Sequence, residues 1–251
     1  MATTGTSPDA FADGASAGRP DDSGAGEPSS VTPQTLPRVA RSWFDREVLL
    51  VARDLLGAVV RTESPEGPVA VRLTEVEAYR GADDPASHAF RGRSARNEQM
   101  FRASGHLYVY RHLGLHHCVN VVTGRTGEAS AVLLRAGEVV EGQDLAWRRR
   151  AGAGSVYSQT DLAQGPARLA VALGLDIRAN GADLVLPPGH APVSLGLASA
   201  VGIEPARGTV GAVSTGPRVG VGRDGSDPHL FPWRLWLDGE PTVTRYRAGF
   251  R

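Results

Sequence analysis

No lysine occurs anywhere in the 251 residues, and all 27 basic side chains are arginines. A mechanism that runs through a lysine Schiff base is therefore excluded. Cysteine is almost as scarce. Cys118 stands alone, which rules out an intramolecular disulfide, an iron–sulfur cluster held by four thiolates and any multi-cysteine zinc site. Long apolar runs are missing as well: the longest are short strings such as Leu195 to Val201, far from the roughly 18 residues that cross a bilayer. The first residues are neither basic nor apolar in the manner of a secretory signal. A chain with no membrane partner, working in the cytoplasm, is expected.

What is present suits a chain that buries a core. The composition is 41% hydrophobic and 22% charged, at a length for one large domain or two small ones. Net charge is zero, yet the charges are unevenly spread. Residues 1–36 carry Asp9, Asp13, Asp21, Asp22 and Glu27 against Arg19, which leaves 26 basic and 22 acidic groups, a net of about +4, on the remainder. A mildly basic body permits nucleic-acid binding without requiring it. Ala, Gly, Ser, Pro, Thr and Asp dominate residues 1–36. So few large apolar side chains cannot offset the entropy of ordering, and an acidic disordered tail is expected there, followed by one folded domain over 37–251.

Within that domain Ser42 and Asp45 mark a helix start. Phe44, Val48, Ala52 and Leu55 recur at helical spacing, and Gly57 closes the helix. Ala58 to Arg61 and Val69 to Tyr79, separated by Ser64-Pro65-Glu66-Gly67, read as a hairpin of β-branched residues. Arg91 to Arg102 is polar, a loop or short helix. His106 to Arg111 and Leu115 to Val122 form a second hairpin with Leu113-Gly114 at its tip, and Ala129 to Arg135 a further strand. Pro166 opens a helix that Gly174 ends. Trp233 to Leu237 and Thr242 to Tyr246 are expected to make a closing hairpin around Asp238-Gly239. The fold class is α+β: a single mixed domain with a curved antiparallel sheet, flanking helices and a protruding β-hairpin.

Two segments break the ordinary pattern. In Leu73-Thr74-Glu75-Val76-Glu77-Ala78-Tyr79 the strand period of two puts Glu75, Glu77 and Tyr79 on the face that Val71 and Leu73 begin, so two carboxylates continue an apolar face. A partly buried pair suits general-base and glycosidic-bond chemistry; a solvated strand end is the alternative. In the second hairpin Tyr108, Tyr110 and His112 share a face, while apolar Leu113 occupies a turn position that normally holds polar residues. An exposed leucine there could wedge between stacked bases, or the side chain could fold back on the core. His112, His116 and His117 suggest a metal site only weakly, because neighbouring residues of a strand face opposite sides. Gly220-Val221-Gly222-Arg223-Asp224-Gly225 fits a dinucleotide fingerprint by letter, but Ser226-Asp227-Pro228 after it opens no crossover helix.

Taken in order and spacing, several segments resemble one family. They are Glu75 to Tyr79, Ser87-His88, Arg96-Asn97, Met100-Phe101, Gly105 to Tyr110, Asn120, Leu133 to Ala136, Gly165-Pro166 and Arg218 to Gly222. The family is the alkyladenine (3-methyladenine) DNA glycosylases of the mammalian-type fold, and the chain looks like a bacterial member over about residues 37–248. The resemblance implies that Glu77 deprotonates a water for attack at the sugar C1′ and that Arg135 helps hold that water. It implies that Tyr79, His88 and Tyr110 wall a pocket for a flipped base with Tyr108 in support, that Asn120 crowds the 2-amino group of ordinary guanine, and that Val219 lines the pocket with its backbone. Leu113 falls where the mammalian enzymes carry an intercalating tyrosine. Arg111, His112 and Leu115 flank it and would meet DNA. The implied partner is double-stranded DNA containing damaged purines, handled by a monomer associated with the nucleoid without metal or cofactor. The rivals are a nucleic-acid-binding module that keeps the fold but lacks catalysis, and a metal-dependent hydrolase built on the histidines.

Overall fold

In the computed structural model, residues 39–185 and 195–249 are described; the tail expected at 1–36 lies outside them. The first helical stretch is broken. A short helix α1 (Arg41–Phe44) is followed by α2 (Val48–Leu55), where the sequence predicts one helix. Glu47 makes the break: its carboxylate accepts the backbone N–H groups of Leu49 and Leu50, at 2.8 and 3.2 Å, and so serves as the N-cap of α2. Val48, Val51, Ala52 and Leu55 then recur on one face and are buried. Gly57, at φ 78°, lets the chain leave α2 and turn into the sheet.

The sheet is antiparallel throughout. Its strands are β1 (Val59–Glu63), β2 (Val69–Arg80), β3 (Leu107–His112), β4 (His116–Val122), β5 (Ser130–Glu141), β6 (Ala200–Glu204), β7 (Val213–Gly216) and β8 (Arg234–Leu237). They run β3-β4-β5-β2-β1-β6, with β8 also on β2 and β7 on β8. β2 can hold three neighbours because its first half pairs with β1 and its second half with β8, both on the side away from β5. The β2–β5 ladder carries register shifts at Ala70/Val71, Leu73/Glu75 and Glu75/Val76. Such bulges strengthen the local twist, and they curl the sheet into a half-barrel. Gly137 sits inside the bent stretch, where an added Cβ would lie 2.4 Å from the Arg72 carbonyl oxygen.

Three helices cover one face: α2, α3 (Gln143–Ala153) and α4 (Pro166–Leu173). α4 begins with proline at its first turn and ends on Gly174 at φ 70°. Leucines and valines of these helices and of β2, β4 and β5 form the main core. A smaller cluster of Ala89, Met100, Tyr108, Val122, Ala129 and Ala131 forms a second, separate core. The closing hairpin is not found. β8 forms as read, but it pairs with β7 and β2, while Thr242 to Tyr246 is not a strand because Thr244 is held by Glu75 and Arg234 instead. Among the described residues no helix is long and apolar enough to cross a membrane.

Candidate active site

β2 delivers Glu75 and Glu77 to the interior with no exposed surface on either, so the solvated strand end is excluded. Their environments differ. Glu75 Oε1 accepts from Arg135 Nε (2.8 Å), Arg234 Nε (2.7 Å) and Thr244 Oγ1 (2.8 Å), and Oε2 accepts from Thr244 N (2.7 Å). A carboxylate offers about four lone-pair sites, and Glu75 has spent them. Burial alone would raise its pKa, but the Arg135 and Arg234 guanidiniums outweigh it and hold the carboxyl below its ordinary range. Glu77 accepts one bond on each oxygen, from Tyr79 Oη (2.8 Å) and Val219 N (2.7 Å), with Arg135 Nη1 in ionic contact at 3.2 Å. It retains acceptor capacity, and it lines a cavity of about 500 Å³.

Around that cavity stand Tyr79, His88, Tyr108, Tyr110, Asn120, Arg135 and Val219. Every pocket residue expected from the sequence is therefore brought to one place. The β3–β4 register sets Tyr108 opposite Asn120 and Tyr110 opposite Cys118. Asn120 Nδ2 donates to the Tyr108 carbonyl oxygen at 2.9 Å, which fixes its amide. His88 packs edge-on against Tyr110, centroids 4.4 Å apart, and its Nδ1 is 2.7 Å from the Tyr108 hydroxyl. Burial, with Arg96 and His112 nearby, pushes the His88 pKa down to about 4, so the imidazole is neutral at neutral pH. Burial raises the Tyr108 hydroxyl to about 12 and those of Tyr79 and Tyr110 well above their usual value. The walls are thus uncharged aromatic rings, and the only formal charges among the residues named are those of Glu77 and Arg135.

The family model described as Methylpurine-DNA glycosylase (MPG) matches residues 42–241. The chain belongs to this family. Relatives include a protein of Streptomyces avermitilis, 49% identical over 84% of this chain and 92% of its own length, and one of Leifsonia xyli subsp. xyli, 52% identical over 85% and 94%. A more distant one, from Methanocella arvoryzae, is 38% identical over 85% and 99%. All three are provisionally named 3-methyladenine DNA glycosylase.

The hairpin β3–β4 carries its tip into solvent. Leu113 is 79% and Leu115 75% exposed, so the folded-back alternative for Leu113 fails. Arg111 and His112 are exposed beside them, and His112 also reaches the cavity rim. Leu113 and Gly114 both have positive φ, 49° and 70°, and Leu115 N–H closes the turn on His112 O at 3.0 Å. Leu113 is the single non-glycine residue at positive φ among those described. Among the described residues no group of three His, Cys, Asp or Glu side chains gathers into a metal-binding cluster. The Gly220–Gly225 segment follows β7 but opens only a three-residue 3-10 turn, and Gly220, Val221 and Gly222 line the cavity.

The sequence does not reveal the role of Glu75 or the contributions of Arg234, Arg218 and Asp84. Glu75 anchors Arg135 rather than facing the cavity. Arg234, opposite Glu77 in the β2–β8 register, is the second cation on Glu75. Arg218 and Asp84, both wholly buried, bind each other through two contacts of 2.6 Å. No spacing rule links 84 to 218 or 75 to 234; only the fold brings them together.

Proposed function

We propose that this chain is a monofunctional DNA glycosylase that flips alkylated or deaminated purines out of double-stranded DNA and hydrolyses their N-glycosidic bond. 3-Methyladenine and 7-methylguanine are the expected substrates, with hypoxanthine and ethenoadenine as further ones, and the catalytic unit is residues 37–251 acting as a monomer. The observation that carries the reading is one cavity of about 500 Å³ with a buried carboxylate, Glu77, beside a ring-lined wall of Tyr79, His88 and Tyr110. Electron-rich neutral rings attract a cationic purine, and a neutral His88 adds no repulsion. A purine that carries positive charge also leaves readily.

In the proposed step the N-glycosidic bond breaks with its electron pair leaving on the base, through an oxocarbenium-like sugar. Water attacks C1′ and gives its proton to Glu77, while Arg135 holds the water. The products are a free base and an abasic site. Glu77 is favoured over Glu75 as the base because it lines the cavity and keeps a free acceptor site. Asn120, fixed by the Tyr108 carbonyl, would crowd the 2-amino group of an undamaged guanine. Leu113 would fill the gap left by the extruded nucleotide, with Arg111, His112 and Leu115 on the neighbouring backbone and groove. A leucine at φ 49°, four-fifths exposed, is costly both in backbone strain and in solvation, and such strain collects where a segment has work to do. A panel of duplexes, each with one defined lesion, tests the reading by release of the free base. Release from alkylated duplexes and none from undamaged DNA is expected; no release from any member would refute it.

A further inference from the structure

We propose that Asp84 and Arg218 form a positioning pair that clasps the two walls of the cavity and presents the Val219 N–H to Glu77. The inference rests on the reading of Glu77 as the base. Asp84 opens the wall Pro85-Ala86-Ser87-His88, and Arg218 opens the wall Val219 to Gly222, from which Pro85, Ala86, His88 and all four residues of the second segment line the cavity. The pair therefore sits at the root of both. Asp84 also accepts the backbone N–H groups of Arg80 and Ala86, each at 3.0 Å, which fixes its own loop. Arg218 donates further to the Ala78 carbonyl on β2 (2.8 Å) and the Gly225 carbonyl (2.7 Å). One guanidinium thereby ties together the central strand, the first wall and the turn that ends the second wall. Three rings, Tyr79, Phe231 and Trp233, pack against it at 4.6, 5.5 and 5.3 Å.

Stability is a poor reason for this arrangement. A buried ion pair contributes no more than a well-packed apolar pair of like volume, because both charges must leave water. What an apolar pair cannot supply is direction. Five donated bonds, the four above and one from Nε to the Gly225 carbonyl at 3.3 Å, fix the peptide after Arg218, and its N–H stands 2.7 Å from Glu77 Oε1. Gly225 shows how close the two walls are: an added Cβ there would fall 2.4 Å from the Ala86 Cβ.

The test replaces the pair without changing net charge, as Arg218→Met with Asp84→Leu, and reads release of 3-methyladenine from methylated duplex DNA at single turnover and in the steady state. Glu77 is faced by Tyr79 on β2, Arg135 on β5, Tyr110 on β3, Cys118 on β4 and the Val219 N–H. Loss of the last donor leaves that oxygen without its fixed partner, so the carboxylate no longer holds the position in which it would meet the water. Tyr79 loses the cation against its ring and remains a donor. The maximal rate should fall about 10-fold or more while KM stays within about threefold, the split expected of misplaced machinery on an intact DNA-binding face. A folded double variant with wild-type maximal rate and KM would overturn the proposal. Should that variant fail to fold, Gly225→Ala forces the walls apart with every charge kept, and the same split is expected; a folded Gly225→Ala protein with unchanged kinetics would overturn it equally. Glu77→Gln, run alongside, separates the two ideas. Full activity there removes the base assignment itself, whereas an inactive Glu77→Gln beside wild-type clasp variants removes only the clasp.

Discussion

Replacing Glu75 by glutamine should cost more stability than replacing Glu77, although the two carboxylates lie two residues apart on one strand. Glu75 is unexposed and neutralises Arg135 and Arg234, themselves about 95% buried. Glutamine removes that charge and turns one acceptor into a donor, which must then face Thr244 N–H or the Arg135, Arg234 and Thr244 hydroxyl donors. Breaking a buried pair from one side costs about 3–5 kcal/mol, and a domain of this size loses roughly 2–4 °C of Tm per kcal/mol. A fall of about 6–20 °C by circular dichroism at pH 7 follows. Glu77→Gln leaves Arg135 paired with Glu75 and faces a cavity that water can enter, so its Tm should change by only a few degrees. The stability-corrected rate should respond in the opposite order. If Glu75→Gln melts within about 2 °C of wild type, Glu75 is not the anchor of two buried arginines and the assignment of structural and chemical roles to the two glutamates is wrong.

Leu113→Ala should weaken excision from duplex lesions and act less on single-stranded or mismatched ones, because extrusion is already easy there; equal loss on both would put Leu113 in the chemical step. Leu113→Tyr should keep or improve duplex excision by stacking, and Leu113→Asn, better suited to φ 49°, should keep the Tm while losing duplex excision. No covalent DNA adduct should be trapped by borohydride, since the chain has no lysine to form a Schiff base with the abasic sugar; a trapped adduct would refute simple hydrolysis. The His88 pKa lies at about 4, below its ordinary 6.5. The unfolded chain therefore binds the extra proton first, and the stability His88 contributes is complete above about pH 6.5 and lost as pH falls toward 4. In His88→Gln the slope of Tm against pH across that window should flatten, and an unchanged slope would show that His88 is not buried as a neutral ring.

The local grammar of the sequence was readable. Alternation gave β2, the Leu113-Gly114 tip gave the β3–β4 hairpin, and the proline and glycine bracketing 166–174 gave α4. The candidate site stands out in the sequence where residue type violates its surroundings, as at Glu77 on an apolar face and Leu113 at a turn. What escaped depends on partners remote in the chain. The break at Asp45 to Glu47 was hidden because the apolar period runs straight through it, and only the Glu47 side chain reveals the new cap. β7 is too short and polar to stand out, so the sequence points to Thr242 to Tyr246 as the partner of β8 where the fold uses β7. α3 escapes a sequence reading because its arginines, two of them buried (Arg149 and Arg150), interrupt the buried face and leave almost no apolar stripe. Arg218 to Asp84 and Arg234 to Glu75 span 134 and 159 residues, distances over which no sequence period operates.

In the proposed reaction Glu77 is the group that activates water. Single-turnover release of 3-methyladenine from methylated duplex DNA by Glu77→Gln, with binding of the same duplex measured in parallel, tests this most directly. The predicted result is a rate lower by about 10² to 10⁴ with binding nearly unchanged, since the amide keeps the carboxylate's shape but cannot take a proton. A Glu77→Gln protein that releases the base within a few-fold of the wild-type rate would contradict it.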